Sequence, residues 1–161
     1  MKILSIILFL LHSIIINTQV IDFNNFSNKT MNEVLFNKLN EYAKSHGANS
    51  FVSSYYGQKE IYKYLRKSKD DSLLDSLSSI INNEILKKYD TPTFLSVGIL
   101  DRISCYDFKT YEEIAGRCLN DWKNSPSNLF FLVGWGEKVG VASFYNRRTH
   151  SVYLSFAHLG E

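Results

Sequence analysis

Two hydrophobic periods run along this chain, and the change from one to the other constrains its fold more than any other feature. From Met31 to Lys88 the apolar residues recur at spacings of three and four; after Pro92 short, partly alternating runs appear, with one more helical stripe between them. Thr30 with Glu33 three residues later reads as a capping box ahead of Val34, Leu35, Leu39, Tyr42 and Ala43. With Gly47 as the stop, this predicts a helix over 31–46. A second helix is expected over 54–67, with Tyr56, Ile61, Tyr64 and Leu65 on one face, although Gly57 weakens its start. A third begins at Asp70 and Asp71, carries its stripe from Leu73 to Leu86, and ends in Lys87 and Lys88, whose charges suit a helix C-terminus.

The run from Thr93 to Leu100 has strand chemistry. Thr110 and Glu113 form another capping box, which predicts a helix over 111–123, with Pro126 just past its end. Two β-rich runs, Val139 to Tyr145 and Ser151 to Ala157, flank the polar stretch from Asn146 to His150, the pattern of an antiparallel hairpin. The expected fold is α+β, a small antiparallel sheet covered by helices.

Ahead of this body, Met1 and Lys2 precede an apolar run from Ile3 to Ile16, broken only by Ser5, His12 and Ser13. The run is shorter than the ~20 residues needed to span a bilayer, and Asn17, Thr18 and Gln19 give it a polar exit. A cleaved secretory signal over 1–20 is expected, with Thr18 and Val20 as cleavage edges and no stable membrane anchor. Residues 21–30 then form a polar segment, expected to be exposed, with glycosylation acceptor patterns at Asn25 and Asn28. The body from 31 to 161 is long enough to bury its own core. Its charge is nearly balanced: 18 Lys and Arg stand against 16 Asp and Glu, and loss of Lys2 with the leader narrows the difference further. That balance carries no footprint for nucleic acid.

Beyond the leader, Cys105 and Cys118 are the two cysteines, and in an oxidising compartment a disulfide between them is expected. The alternative is a pair of small buried hydrophobes. Closure of a loop of this length would add about 3 kcal/mol in the chain-entropy model. Without a Cys-x-x-Cys pair, neither a redox motif nor a thiolate zinc site has support.

Several segments, in order, resemble a known superfamily. The stretch from Leu35 to Tyr42 resembles an opening helix with an asparagine-bearing hN-x-x-R pattern, although no arginine follows. Trp122-Lys123-Asn124-Ser125-Pro126 is similar to a W-x-x-S-P helix exit, and Val139-Gly140-Val141-Ala142 to an hGhA strand. Val152 to Phe156 takes the place of a closing strand. Together they resemble the CAP domain of cysteine-rich secretory proteins, insect venom antigens and plant pathogenesis-related proteins. The resemblance covers about 31–160, is best over 110–156, and implies an α-β-α sandwich.

Many members of that superfamily set two His and two Glu around a central cleft. Here Ile99 falls near one acidic position and Ser125 near the other, Asn128 stands where a histidine would be, and no His lies between Lys87 and Leu95. An apolar and two neutral side chains neither hold a divalent cation nor shuttle protons at neutral pH. The implied cleft at Ile99, Ser125 and Asn128 is therefore expected to hold ligand without metal, cofactor or catalytic residue.

The other reactive side chains have plainer readings. His46 precedes Gly47 as a helix C-terminal feature, and His150 and His158 lack metal-ligand spacing. No Gly-x-Ser-x-Gly elbow exists, and Gly134-Trp135-Gly136-Glu137 lacks the Lys and Ser/Thr of a phosphate loop. Tyr55, Tyr56, Tyr62 and Tyr64, interleaved with Lys59, Lys63, Arg66 and Lys67, read as an amphipathic helix with tyrosines toward the core. The expectation is a secreted, monomeric, non-enzymatic CAP-like protein in binding or host interaction. For its partner the resemblance implies an extracellular protein or a lipid or sterol. The competing readings are a secreted hydrolase, such as a peptidase, whose nucleophile and base meet at about 3 Å, and a small lipid or sterol carrier.

Overall fold

The structure, a computed structural model, describes residues 19–66, 97–125, 132–133 and 138–159. The leader through Thr18, the expected third helix over 70–88, Asn128 and the Gly134–Glu137 turn lie outside the described residues.

Helix α1 spans Asn28–Ser45 and begins three residues before the expected start. Ser27, not Thr30, is its N-cap. The Ser27 hydroxyl accepts the Thr30 N–H at 3.1 Å and the Thr30 hydroxyl at 2.9 Å. The Ser27 N–H in turn donates to the Tyr111 hydroxyl at 2.8 Å, a contact across 84 residues. Met31, Leu35, Leu39 and Ala43 form the buried stripe. Gly47, in the left-handed region at φ 75°, ends the helix, with its N–H on the Lys44 carbonyl.

Strand β1 is two residues, Val52–Ser53, and α2 runs over Tyr55–Leu65. The Asn40 side chain of α1 pins the approach to β1: its Oδ1 accepts the Phe51 N–H at 2.6 Å. Strand β2 is Val97–Ser104; it contains 97–100 of the expected run and continues to Ser104, while 93–96 lie outside the described residues. Helix α3, Tyr111–Lys123, has the expected bounds and carries the expected capping box. The Glu113 N–H donates to Thr110 Oγ1 at 3.2 Å, and Glu113 Oε2 accepts the Lys109 and Thr110 N–H groups. Those two amides hold the Glu113 carboxyl below its ordinary pKa.

Strands β3, Lys138–Asn146, and β4, Ser151–Leu159, form the expected hairpin. The sheet order is β1-β3-β4-β2. Its β3/β4 and β2/β4 pairs are antiparallel, but β1 runs parallel to β3, so the sheet is mixed rather than purely antiparallel. A two-residue strand has too little alternation to be read from sequence. It is held by its pairing to Lys138 and Val139 and by the Ser54 N–H on the Val139 carbonyl at 2.7 Å.

Alternation in the hairpin separates the two faces. Val139, Val141 and Tyr145 of β3, with Val152, Leu154 and Phe156 of β4, join Met31, Leu35 and Leu39 of α1 and Ile114, Cys118 and Trp122 of α3 in one core. The opposite face of β3 meets α2, where Gly140 approaches Gly57 and the Phe144 ring lies 6.3 Å from that of Tyr62. The described residues therefore form an α+β fold with helices on both faces of the sheet.

The segment before α1 exposes its polar Asp22, Asn24 and Asn25 as expected, but its apolar residues pack on the body. Ile21 is buried, its N–H bonds the Lys109 carbonyl at 2.8 Å, and Phe26 stacks on Tyr145 at 4.8 Å.

The expected disulfide is not formed: Cys105 and Cys118 are both free thiols. Cys105, just past β2, donates to the Ile103 carbonyl at 3.5 Å, while Cys118 sits on the buried stripe of α3 with Ile114 and Trp122. Each fills core volume on its own element. Burial pushes the Cys105 thiol up to about 11 and the Cys118 thiol well above its ordinary value.

Candidate functional site

An open groove of about 680 Å³ lies between α1 and α2, with Val141 of β3 on its lining. The size falls within the range of small-ligand sites. Helix geometry puts residues three and four apart on one stripe. On α1, Asn32, Phe36 and Asn37 therefore line one wall beside the buried Met31–Leu35–Leu39 stripe. On α2, Tyr55, Gln58 and Tyr62 line the other. Pinning of Phe51 by Asn40 and pairing of β1 with β3 set where α2 begins, and so set the distance between the walls.

Asn32 is the most constrained residue of the groove. It is 7% exposed, and its Oδ1 lies 2.7 Å from the Ser143 hydroxyl of β3. That hydroxyl is also 3.2 Å from the Asn28 carbonyl oxygen, and Asn28 Oδ1 accepts the Tyr145 N–H at 3.2 Å. With its oxygen committed to Ser143, the polar atoms Asn32 has left for a ligand are its Nδ2–H donors. Tyr55 lies at the other extreme, 78% exposed. Expected to face the core, it instead leaves its ring open to solvent at the groove, while Tyr62 is half-buried. The charges are few: Lys29 pairs with Glu33 at 3.8 Å on the exposed rim of α1, and Lys59 lies on α2.

The cleft residues implied by the resemblance are not drawn into this groove. Ile99 lies on β2 opposite Phe156, and Ser125 follows α3, its N–H on the Trp122 carbonyl at 3.2 Å. Asn128 is outside the described residues. Of the sugar acceptors, Asn25 is exposed, with its Nδ2 on Asp22 at 2.8 Å, and the Asn28 amide is engaged by β3.

The histidines take local roles. His46 Nδ1 is 3.0 Å from Ser45 Oγ, but both atoms also lie within 2.9 Å of the Tyr42 carbonyl, so the pair closes the exposed C-terminus of α1. His150, at φ 49° in the hairpin turn, lies between the rings of Phe23 at 4.6 Å and Tyr106 at 4.5 Å. Its Nδ1 is 2.6 Å from the Tyr145 hydroxyl, whose pKa burial raises. His158 is buried, edge-on to Phe51 and Phe156. Among the described residues, no three His, Cys, Asp or Glu side chains are grouped to hold a metal ion, and no helix is long and apolar enough to cross a membrane.

From sequence, Glu33 reads as part of a capping box, Tyr55 and Tyr62 as core, Lys59 as a solvent-facing charge, Phe36 and Asn37 as part of the resembling helix and Val141 as strand. None of these reads as a groove residue, and Asn32, Ser53 and Gln58 are not singled out. The available signal was Asn32, a polar residue between Met31 and Leu35 on an otherwise apolar stripe.

No family model matches the chain, and no curated protein matches it. Among solved structures it is similar to an outer surface protein from Borrelia burgdorferi. The likeness has a TM-score of 0.52 and 17% identity, and covers 89% of this chain and 98% of that one. At that identity it is a likeness of fold.

Proposed function

We propose that this chain is an exported CAP-like protein, secreted or held at the cell surface, that acts by binding rather than by catalysis, with the groove between α1 and α2 as its ligand site. The observation that carries this reading is the Asn32 amide. A buried polar side chain, fixed by Ser143 and lining an open groove beside Phe36 and Tyr62, is built to recognise a ligand. The lining sets one hydroxyl, Ser53, among amides, aromatic rings and a rim ion pair, and among the described residues it includes no His to serve as the base that such a nucleophile needs.

Export is supported by the apolar leader with its polar exit. A fold like that of a bacterial outer surface protein is consistent with it. Placement in the CAP superfamily rests on the ordered motifs from Leu35 to Phe156. Where the host glycosylates, Asn25 is the acceptor rather than Asn28, since its side chain is exposed and tied only to the neighbouring Asp22.

Mass spectrometry of the chain expressed from its own leader, with protease treatment of intact cells, tests the reading. The expected product begins between Thr18 and Ile21, lies outside the cytoplasm, and in a glycosylating host carries sugar at Asn25. An intact leader on a protease-protected cytoplasmic chain would overturn export. Turnover of peptide or ester substrates by the purified protein would overturn the non-catalytic reading.

A further inference from the structure

The geometry points to a short oligosaccharide as the ligand of the groove between α1 and α2, an inference that rests on the binding function proposed above. A sugar ring has two chemical surfaces: a face of C–H groups that packs on aromatic rings, and a rim of hydroxyls that both donate and accept hydrogen bonds. The groove offers a counterpart to each. Tyr55, Phe36 and Tyr62 present aromatic surface on both walls, with the Tyr55 ring 78% exposed and available for stacking. Asn32, Asn37 and Gln58 present amides, the uncharged side chains that hold a donor and an acceptor in one plane.

Asn32 adds preorganisation. Its oxygen is held by Ser143, so its donors reach the ligand without the loss of rotamer freedom that an exposed side chain undergoes on binding. Other ligand classes fit less well. A phosphate or sulfate ligand calls for several converging cations, whereas among the described residues the lining holds only two lysines, Lys29 and Lys59, on opposite walls, with the Glu33 carboxylate 3.8 Å from Lys29. A lipid chain calls for an enclosed apolar channel, whereas these walls carry three amides and lie open.

A printed array of neutral and sulfated oligosaccharides, followed by calorimetry with the best neutral hit, tests the assignment. Wild type is expected to bind neutral oligosaccharide with a Kd below about 1 mM. Tyr55→Ala is expected to weaken this about tenfold and Gln58→Ala severalfold, with Tm unchanged because Tyr55 is exposed. No neutral ligand on the array, or a neutral ligand whose affinity Tyr55→Ala leaves intact, would overturn the proposal. Binding confined to sulfated sugars and abolished by salt would assign the site to its lysines and also overturn it. Oleate, titrated in parallel, separates this proposal from the one beneath it. Oleate bound instead of sugar and lost in Tyr55→Ala would refute the saccharide and keep the groove as a binding site. Failure of both probes would refute both.

Discussion

Gly140 of β3 lies against the backbone of Gly57 in α2: a Cβ built on Gly140 would stand 2.8 Å from the Gly57 carbonyl carbon and 2.9 Å from the Gln58 nitrogen. Backbone cannot swing aside as the end of a long side chain can, so any larger residue pushes the helix off the sheet. Gly140→Ala is expected to destabilise the protein by about 1–3 kcal/mol, the usual penalty for overpacking. Urea unfolding of the two proteins gives the difference. Because α2 forms one wall of the groove, ligand affinity should fall with it.

Cys105 and Cys118 are buried free thiols, so a reducing agent should leave Tm unchanged. Iodoacetamide at pH 8 should label neither in the native protein and both in guanidinium. The raised Cys105 pKa also sets a pH dependence. The native state keeps that proton where the unfolded thiol loses it, so the associated stability is intact below 9.0 and falls away as pH rises toward about 11. A mass shift of two hydrogens in the native protein, reversed by reductant, would show a disulfide.

Asp101 of β2 presents a carboxyl to the face covered by α3. Its Oδ1 accepts the Arg102 N–H at 2.7 Å, while its Oδ2 is buried with no hydrogen-bond partner among the described residues. Burial raises its pKa, with Asp121 adding to the rise and the Arg102 amide and Arg117 opposing it. A raised carboxyl pKa means that the folded state binds more protons, so stability declines as pH climbs above 3.8. Asp101→Asn is therefore expected to raise Tm at pH 7, with the gain shrinking as pH falls toward 3.8. Parallel thermal melts across pH check the sign; a lower Tm for the variant at pH 7 would contradict it.

Ser143 joins the Asn32 amide to the sheet from a fully buried position. Ser143→Ala leaves Asn32 Oδ1 without that donor, a loss of about 1–3 kcal/mol for a buried polar atom. The same substitution frees the amide to rotate, so calorimetry should show weaker ligand binding in protein that remains folded. Ser143→Thr, which keeps a hydroxyl, separates lost hydrogen bonding from altered packing.

The elements legible from sequence are those whose determinants lie within a few residues of one another. Thr110 and Glu113 close their capping box over three positions, so α3 has both bounds as expected. The β3/β4 hairpin follows from alternation on either side of a polar turn. Where a contact reaches across the chain, the reading shifts. Ser27 displaces Thr30 as the α1 cap in company with the Tyr111 hydroxyl, and β1 exists because β3 pairs with it. Export chemistry predicted a disulfide, but the separate packing of Cys105 and Cys118 decides their state.

Period and capping, local properties of a linear chain, sufficed to establish an α+β protein with a terminal hairpin and a helix over 111–123. The parallel edge strand, the free thiols, the exposed Tyr55 and the amide groove were decided in three dimensions. Each depends on which surfaces meet after the helices dock, and Asn32 meets Ser143 across 111 residues of sequence. Hydrogen-bond geometry selects such partners by distance in space, a quantity that residue spacing does not encode.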